Sequence, residues 1–216
     1  MKTLLINSHP DFNGKERFSN KLQKNFFEKF NKKFDKNELT IVNLYDMDVP
    51  KIEMNGLLGI WEKQMNGKEL LENEKTIIEK SQKILLQFKE HHRIVIATPL
   101  HNFNITSKLK DYIDNILLPN ETFKYTETGS VGLMTDNYKI LLLQASGSIF
   151  TNNDRYTPME FTHYYLKSLF EEFMGFDKFY IVRAEGTPLL PADEVLNSAK
   201  NDLDTVFDDF YSIENK

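Results

Sequence analysis

Short apolar runs alternate along this chain with longer stretches in which apolar residues recur every three or four positions. The runs at 3–8, 39–44, 93–98, 138–145 and 179–184 are rich in Ile, Leu and Val. Their near-continuous apolar character predicts strands covered on both faces. Between them, Leu22, Phe26, Phe27 and Phe30 fall on one helical face, as do Leu70, Leu71, Ile77, Ile78, Ser81, Ile84, Leu85 and Phe88. Leu109, Tyr112, Ile113, Ile116 and Leu117 make a third stripe, Phe161, Tyr165, Leu169 and Phe173 a fourth, and Val195, Ala199, Leu203, Val206 and Phe210 a fifth. Thr106 suits a helix cap, Pro158 after Thr157 suits a first helical position, and Gly175 follows the fourth stripe.

Strands alternating with helices predict an α/β fold with a doubly wound, five-stranded parallel sheet. Right-handed crossovers favour the strand order 2-1-3-4-5, in which ligands bind beyond the carboxyl ends of strands near the reversal at strands one and three. The loops at 8–19, 98–106 and 144–156 are therefore the ones to examine. Residues 1–216 read as one domain. The atypical stretch is 45–67, with Pro50, Gly56, Gly59, Trp61 and Gly67, expected to be a lid or subunit contact rather than a domain boundary.

Composition narrows the chemistry. The chain has no cysteine, which excludes disulfides, thiolate metal sites and a cysteine nucleophile, so redox chemistry needs a bound cofactor. A net charge of -5 comes from interspersed charges, and the most basic stretch, 29–36, lies beside Glu28 and also holds Asp35, as a solvated helix end would. Nucleic acid is thereby disfavoured as a partner. The apolar start of the chain meets Asn7 at once, and no run approaches the ~18 residues of a membrane span, so a cytoplasmic location is expected. His91 and His92 read as a solvated pair before the third strand. With no metal-ligand cluster in the sequence, a phosphodiesterase acting on acyl carrier protein has little support.

In the first loop, hydroxyl, imidazole and guanidinium groups surround a helix start, where free backbone N–H groups and the helix dipole favour an anion such as phosphate. Neither a GxGxxG nor a GxxxxGK[ST] pattern is present, which disfavours a dinucleotide loop and a P-loop. The local sequence alone favours a plainer reading, with Ser19 or Asn20 as helix cap and His9 on the surface. In the second loop Pro99 fixes the strand exit, Asn102 suits a side-chain-closed turn, and backbone groups from Leu100 to Phe103 are candidates to pair with a planar heterocycle. Phe103 either stacks on that heterocycle or packs in the core. In the third loop the small residues Ala145, Ser146, Gly147 and Ser148 allow close backbone approach to a ligand.

Three linked segments carry a family likeness: 99–105 (PLHNFNI), 109–114 (LKDYID), and 122–129 (TFKYTETG) followed by Gly132-Leu133. They resemble the FMN-dependent NADH-azoreductase family of flavodoxin-like quinone reductases, with matching spacings over about a quarter of the chain. The resemblance implies a flavodoxin-like fold and a homodimer with FMN at the subunit interface. It further implies NADH as donor and quinones or azo compounds as acceptors, in a two-electron ping-pong hydride transfer. By position, Pro99, Leu100, His101, Asn102 and Phe103 would meet the isoalloxazine and Ala145, Ser146, Gly147 and Ser148 its other side. His9, Arg17, Phe18 and Ser19 would hold the phosphate.

Backbone amides around Asn102 and Gly147 would stabilise the anionic reduced flavin. His101 is the candidate proton or hydrogen-bond donor to the acceptor, because imidazole titrates near neutral pH. The chain departs from the family at His101, where tyrosine is usual, at 145–148, which replaces a Ser-Arg-Gly-Gly type turn, and at 17–19, which replaces a serine-rich phosphate loop. His9-Pro10 with Phe18 looks more like related quinone reductases of the same superfamily. A flavodoxin-type electron carrier is the rival reading, opposed by the short first loop and the extra 122–129 segment; a flavin-free regulatory module is a third.

Overall fold

The computed structural model describes residues 2–213. Five parallel strands, β1 (Thr3–Asn7), β2 (Leu39–Asn43), β3 (Arg93–Pro99), β6 (Lys139–Ala145) and β7 (Lys178–Ala184), form one sheet in the order β2-β1-β3-β6-β7. Counted among themselves, that is the expected order 2-1-3-4-5. The pleat sorts the core into two layers. Leu5, Val95, Leu141, Leu143 and Val182 face α1 (Phe18–Lys33) and α6 (Ala192–Tyr211), meeting Leu22, Phe26, Phe30, Leu203 and Phe207. Leu4, Ile6, Ile94, Ile96, Ile140 and Leu142 face α3 (Glu72–Lys89), α4 (Ser107–Ile116) and α5 (Phe161–Lys167), which continues as a wider π-type turn over Ser168–Phe173.

The strands β1 and β6 are buried throughout, and β3 is buried up to Thr98, as continuous apolar runs predict. The edge strands differ. Every residue of β2 is at least partly open, and β7 alternates, because an edge strand has a neighbour on one side only and less helix cover. Phe27 and Phe161, placed by periodicity on core-facing stripes, are exposed. Leu70 and Leu71 precede α3 instead of opening it, and the Glu74 carboxylate accepts the Leu71 N–H at 2.9 Å to start the helix. Thr106 does cap α4, its Oγ1 accepting the Leu109 N–H. Pro158 belongs to a single tight turn, Thr157–Met159, ahead of α5. Gly175, at φ +87°, closes the π-type turn in the left-handed region that glycine tolerates.

Only one of the histidine pair before β3 is open to solvent, His92, whose side chain is 39% exposed. His91 is buried, with Nδ1 against the Gln87 carbonyl and Nε2 against Thr40 Oγ1, while His92 stacks on Tyr138 with ring centroids 4.3 Å apart. Next to them, at the strand beginnings, two cations are fully buried: Arg93 and its register partner Lys139. Arg93 donates to the carbonyls of His92, Asn137 and Ser212, and Lys139 to the Asp209 carbonyl and Ser212 Oγ, so the C-terminal end of α6 closes this end of the sheet. The basic end of α1 is likewise paired, Lys29 with Asp204 and Lys33 with Asp208.

Segment 45–67 contains a further helix, α2 (Leu57–Met65), and packs on its neighbours. Asn115 Nδ2 donates to the Pro50 carbonyl at 2.8 Å, and Lys63 pairs with Glu74 at 2.5 Å. A small antiparallel hairpin, β4 (Phe123–Thr126) and β5 (Gly129–Gly132), stands apart from the main sheet. Gly132 lets it dock, since a Cβ there would lie 2.3 Å from the Met174 carbonyl.

Candidate functional site

At the carboxyl ends of β1, β3 and β6 lies a cavity of about 330 Å³. His9, Arg17, Phe18, Ser19, Pro99, Leu100, Ala145, Ser146 and Gly147 line it, together with Glu16 and Thr187. A larger hollow of about 800 Å³ runs along the outer face of α1, but the convergence of the three loops singles out the smaller one.

The first loop supports itself. Asn7 Oδ1 accepts the His9 N–H and His9 Nδ1 accepts the Asp11 N–H, each at 2.9 Å; Asn20 Nδ2 donates to the carbonyls of Asp11 and Gly14. Asn20 therefore braces the loop rather than capping α1, and His9 is half-buried rather than on the surface. Burial, with Arg17 and then His101 adding repulsion against the opposing pull of Asp11, lowers the His9 pKa. Because Nδ1 accepts, the neutral ring carries its proton on Nε2. Arg17 Nε reaches Asp11 at 2.8 Å, but both side chains are about half exposed, so this pair contributes little stability.

Ser19 is the unusual member. It is 1% exposed in the first turn of α1, and its Oγ has no hydrogen-bond partner. No side chain caps that helix and no acidic residue occupies its first turn. A buried hydroxyl without a partner beside free helix N–H groups is costly unless an acceptor comes from elsewhere.

The second loop is a tight turn. His101 and Asn104 exchange both backbone hydrogen bonds at 2.9 Å, and Asn102 (φ +47°) and Phe103 (φ +68°) both lie in the left-handed region, as in a type I′ turn. An aromatic residue there is strained. The side-chain closure falls at Asn104, whose Oδ1 accepts the Ile105 N–H at 2.8 Å, not at Asn102. The N–H groups of Leu100 and His101 are already used within the protein. Those of Asn102 and Phe103 have no partner among the described residues. His101, Asn102, Phe103 and Ser148 lie outside the cavity lining; His101 and Asn102 are exposed and Phe103 is half-buried, neither core nor surface.

The third loop is tied to the segment after β7. Ser146 N–H donates to the Ala184 carbonyl at 2.9 Å, Thr187 N–H to the Ser146 carbonyl at 3.2 Å, and Ser146 Oγ to the Ser148 carbonyl at 2.8 Å. A Cβ on Gly147 would meet Pro188 alone among the described residues, at an ordinary 3.8 Å, so the space beside this glycine is open. Beneath this loop, buried Glu160 accepts from Gln144 Nε2 at 2.6 Å and from Arg183 Nε and Nη2 at 2.8 and 2.9 Å.

The flavodoxin-like fold family model matches residues 1–206. The FMN-dependent NADH:quinone oxidoreductase 1 of Lactiplantibacillus plantarum is 53% identical over 97% of this chain and 99% of its own length. The chain belongs to the FMN-dependent NADH:quinone oxidoreductase family. The Streptococcus agalactiae oxidoreductase is 49% identical over 99% of this chain and all of its own. The crystal structure of an FMN-dependent NADH-azoreductase from Bacillus anthracis in complex with FMN superimposes with a TM-score of 0.91 at 47% identity, covering 98% of this oxidoreductase and 99% of that chain. Among the residues of this oxidoreductase that sequence reasoning passed over, Thr187 had a usable signal, since it follows a strand adjacent to β6 at the same end of the sheet.

Proposed function

We propose that this chain is an FMN-dependent oxidoreductase that passes electrons from NADH to quinones or azo compounds, acting as a single cytoplasmic domain within a homodimer. The observation that carries the placement of the cofactor is Ser19: its unpartnered, buried hydroxyl supplies the donor that a phosphate at the start of α1 would take. The residues fit the rest of FMN as well. His9, with Nε2 protonated, and Arg17 flank the phosphate position. Leu100 and Ala145 offer an apolar seat, and Gly147 leaves room for a flat ring.

When bound, FMN supplies hydride acceptance from the nicotinamide and delivery to the acceptor, and the protein orients it. The N–H groups of Asn102, Phe103 and Gly147, fixed in direction by the strained turn and by the ties to β7, favour developing negative charge beside them. His101, exposed at the turn, donates a proton or hydrogen bond to the acceptor. His101→Phe is expected to lower quinone turnover by about two orders of magnitude; unchanged turnover across pH removes that role. Exposed Tyr125, Val131, Leu133, Phe161 and Tyr164 on the hairpin and α5 support the homodimer.

Among the described residues no helix is long and apolar enough to cross a membrane. The purified protein is expected to be yellow, to bleach on adding NADH and to recover its flavin bands with menadione. Retained flavin that neither NADH nor NADPH bleaches would instead indicate the electron carrier.

A further inference from the structure

We infer that Phe150, held by the Glu185 carboxylate, is a positioning residue that sets Phe103 at the flavin site. This rests on the reading that Phe103 meets the isoalloxazine. Phe103 occupies a backbone conformation that a bulky side chain holds only when its surroundings over-determine it. The two backbone hydrogen bonds of its turn fix the ends, His101 and Asn104, and leave the direction of the Phe103 ring unspecified.

Phe150 supplies that direction. It is 2% exposed, and its ring meets Phe103 edge to face, with centroids 6.4 Å apart and planes at 88°. Edge-to-face contact aligns the positive rim of one ring with the negative face of the other, so it fixes orientation as well as distance. Phe150 is in turn located from the sheet. Glu185 Oε1 accepts the Phe150 N–H at 2.9 Å and Oε2 accepts from Thr151 Oγ1 at 2.7 Å, so both carboxylate oxygens hold the same short piece of loop. Glu185 directly follows β7, and Arg183, whose Nε lies 3.9 Å away, holds the carboxylate's charge in place while it grips Glu160. The line of support runs from the rigid edge of β7 through Glu185 and Phe150 to the Phe103 ring.

The test is a double-mutant cycle on holoprotein with F103L, F150L and the double variant, read by FMN dissociation constant and by the visible circular dichroism of bound flavin. Each single change is expected to weaken FMN by about three- to tenfold and to alter the flavin bands, and the double variant to be no worse than the weaker-binding single. The pair E185A and E185Q gives a reading independent of core packing. E185A is expected to reproduce F150L, and E185Q, which keeps an acceptor for the Phe150 N–H, to restore flavin binding and bands.

Additive effects of F103L and F150L, or a wild-type flavin spectrum in F150L while F103L changes it, would overturn the positioning role. E185A indistinguishable from wild type would overturn the anchor. F103L without effect would overturn both the proposal and the placement of Phe103 against the flavin.

Discussion

Ser19→Asp is expected to weaken FMN binding by about a thousandfold without unfolding the protein. A carboxylate at this buried position would face the phosphate. A like charge at about 4 Å, at an effective dielectric near 20, opposes binding by about 4 kcal/mol, which is about three orders of magnitude in affinity. Ser19→Asp also removes the hydroxyl donor. The same substitution is compatible with the helix, because an acidic side chain in the first turn of α1 interacts favourably with the helix dipole, and that turn holds no other acidic residue. Fluorescence titration of apoprotein with FMN, beside a thermal melt, separates the two effects. An unchanged dissociation constant would place the phosphate elsewhere.

Glu160→Ala is expected to cost about 3 kcal/mol of stability and to lower the melting temperature by roughly 10 °C. Glu160 is the common acceptor for Gln144 and Arg183, and its removal leaves a buried amide donor and a largely buried guanidinium facing one another. Gln144 Oε1 already lacks a partner, so that amide has no compensating bond to fall back on. The cost stands at the lower end of the range for broken buried pairs because Arg183 keeps 20% of its side-chain surface in water. Glu160→Gln, which retains an acceptor, is expected to fall between. A melt within 2 °C of wild type for Glu160→Ala, well inside the shift expected for such a loss, would mean that water replaces the carboxylate.

The main sheet could be read from the sequence because its strands are apolar runs, the central three of them buried almost throughout, whose signal does not depend on distant partners. The same logic located the cavity, since strand order alone fixes which loops meet at the reversal. Nine of the thirteen proposed cofactor residues line that cavity. What escaped reading is either too short to carry a pattern or depends on contacts made only in the folded chain. The β4–β5 hairpin has only four residues per strand and buries only Phe123 among them, too little for a period-two pattern. Gly56 and Gly59 disguise α2; their missing Cβ atoms allow close approach to the Lys51 and Met54 carbonyls, which only the folded chain shows. His91 looks solvated until Thr40, 51 residues away, is brought to its Nε2. Glu160 and Glu185 carry no local motif, because their partners lie on β6, on β7 or in the loop after β6.

The left-handed pair at Asn102 and Phe103 has a consequence for how this chain tolerates change over generations. A strained turn persists only while the rest of the fold holds stability in reserve. Here that reserve lies in the buried apolar residues of β1, β3 and β6, down to the opposite end of the sheet that the hydrogen-bonded cations Arg93 and Lys139 close. Mutations that erode those distant residues draw on the same margin that keeps the turn in place. Descendants with a weakened core are therefore the ones in which relaxing substitutions at 102 and 103 become favourable, and the loop's shape is inherited only as long as the far end of the sheet stays closed.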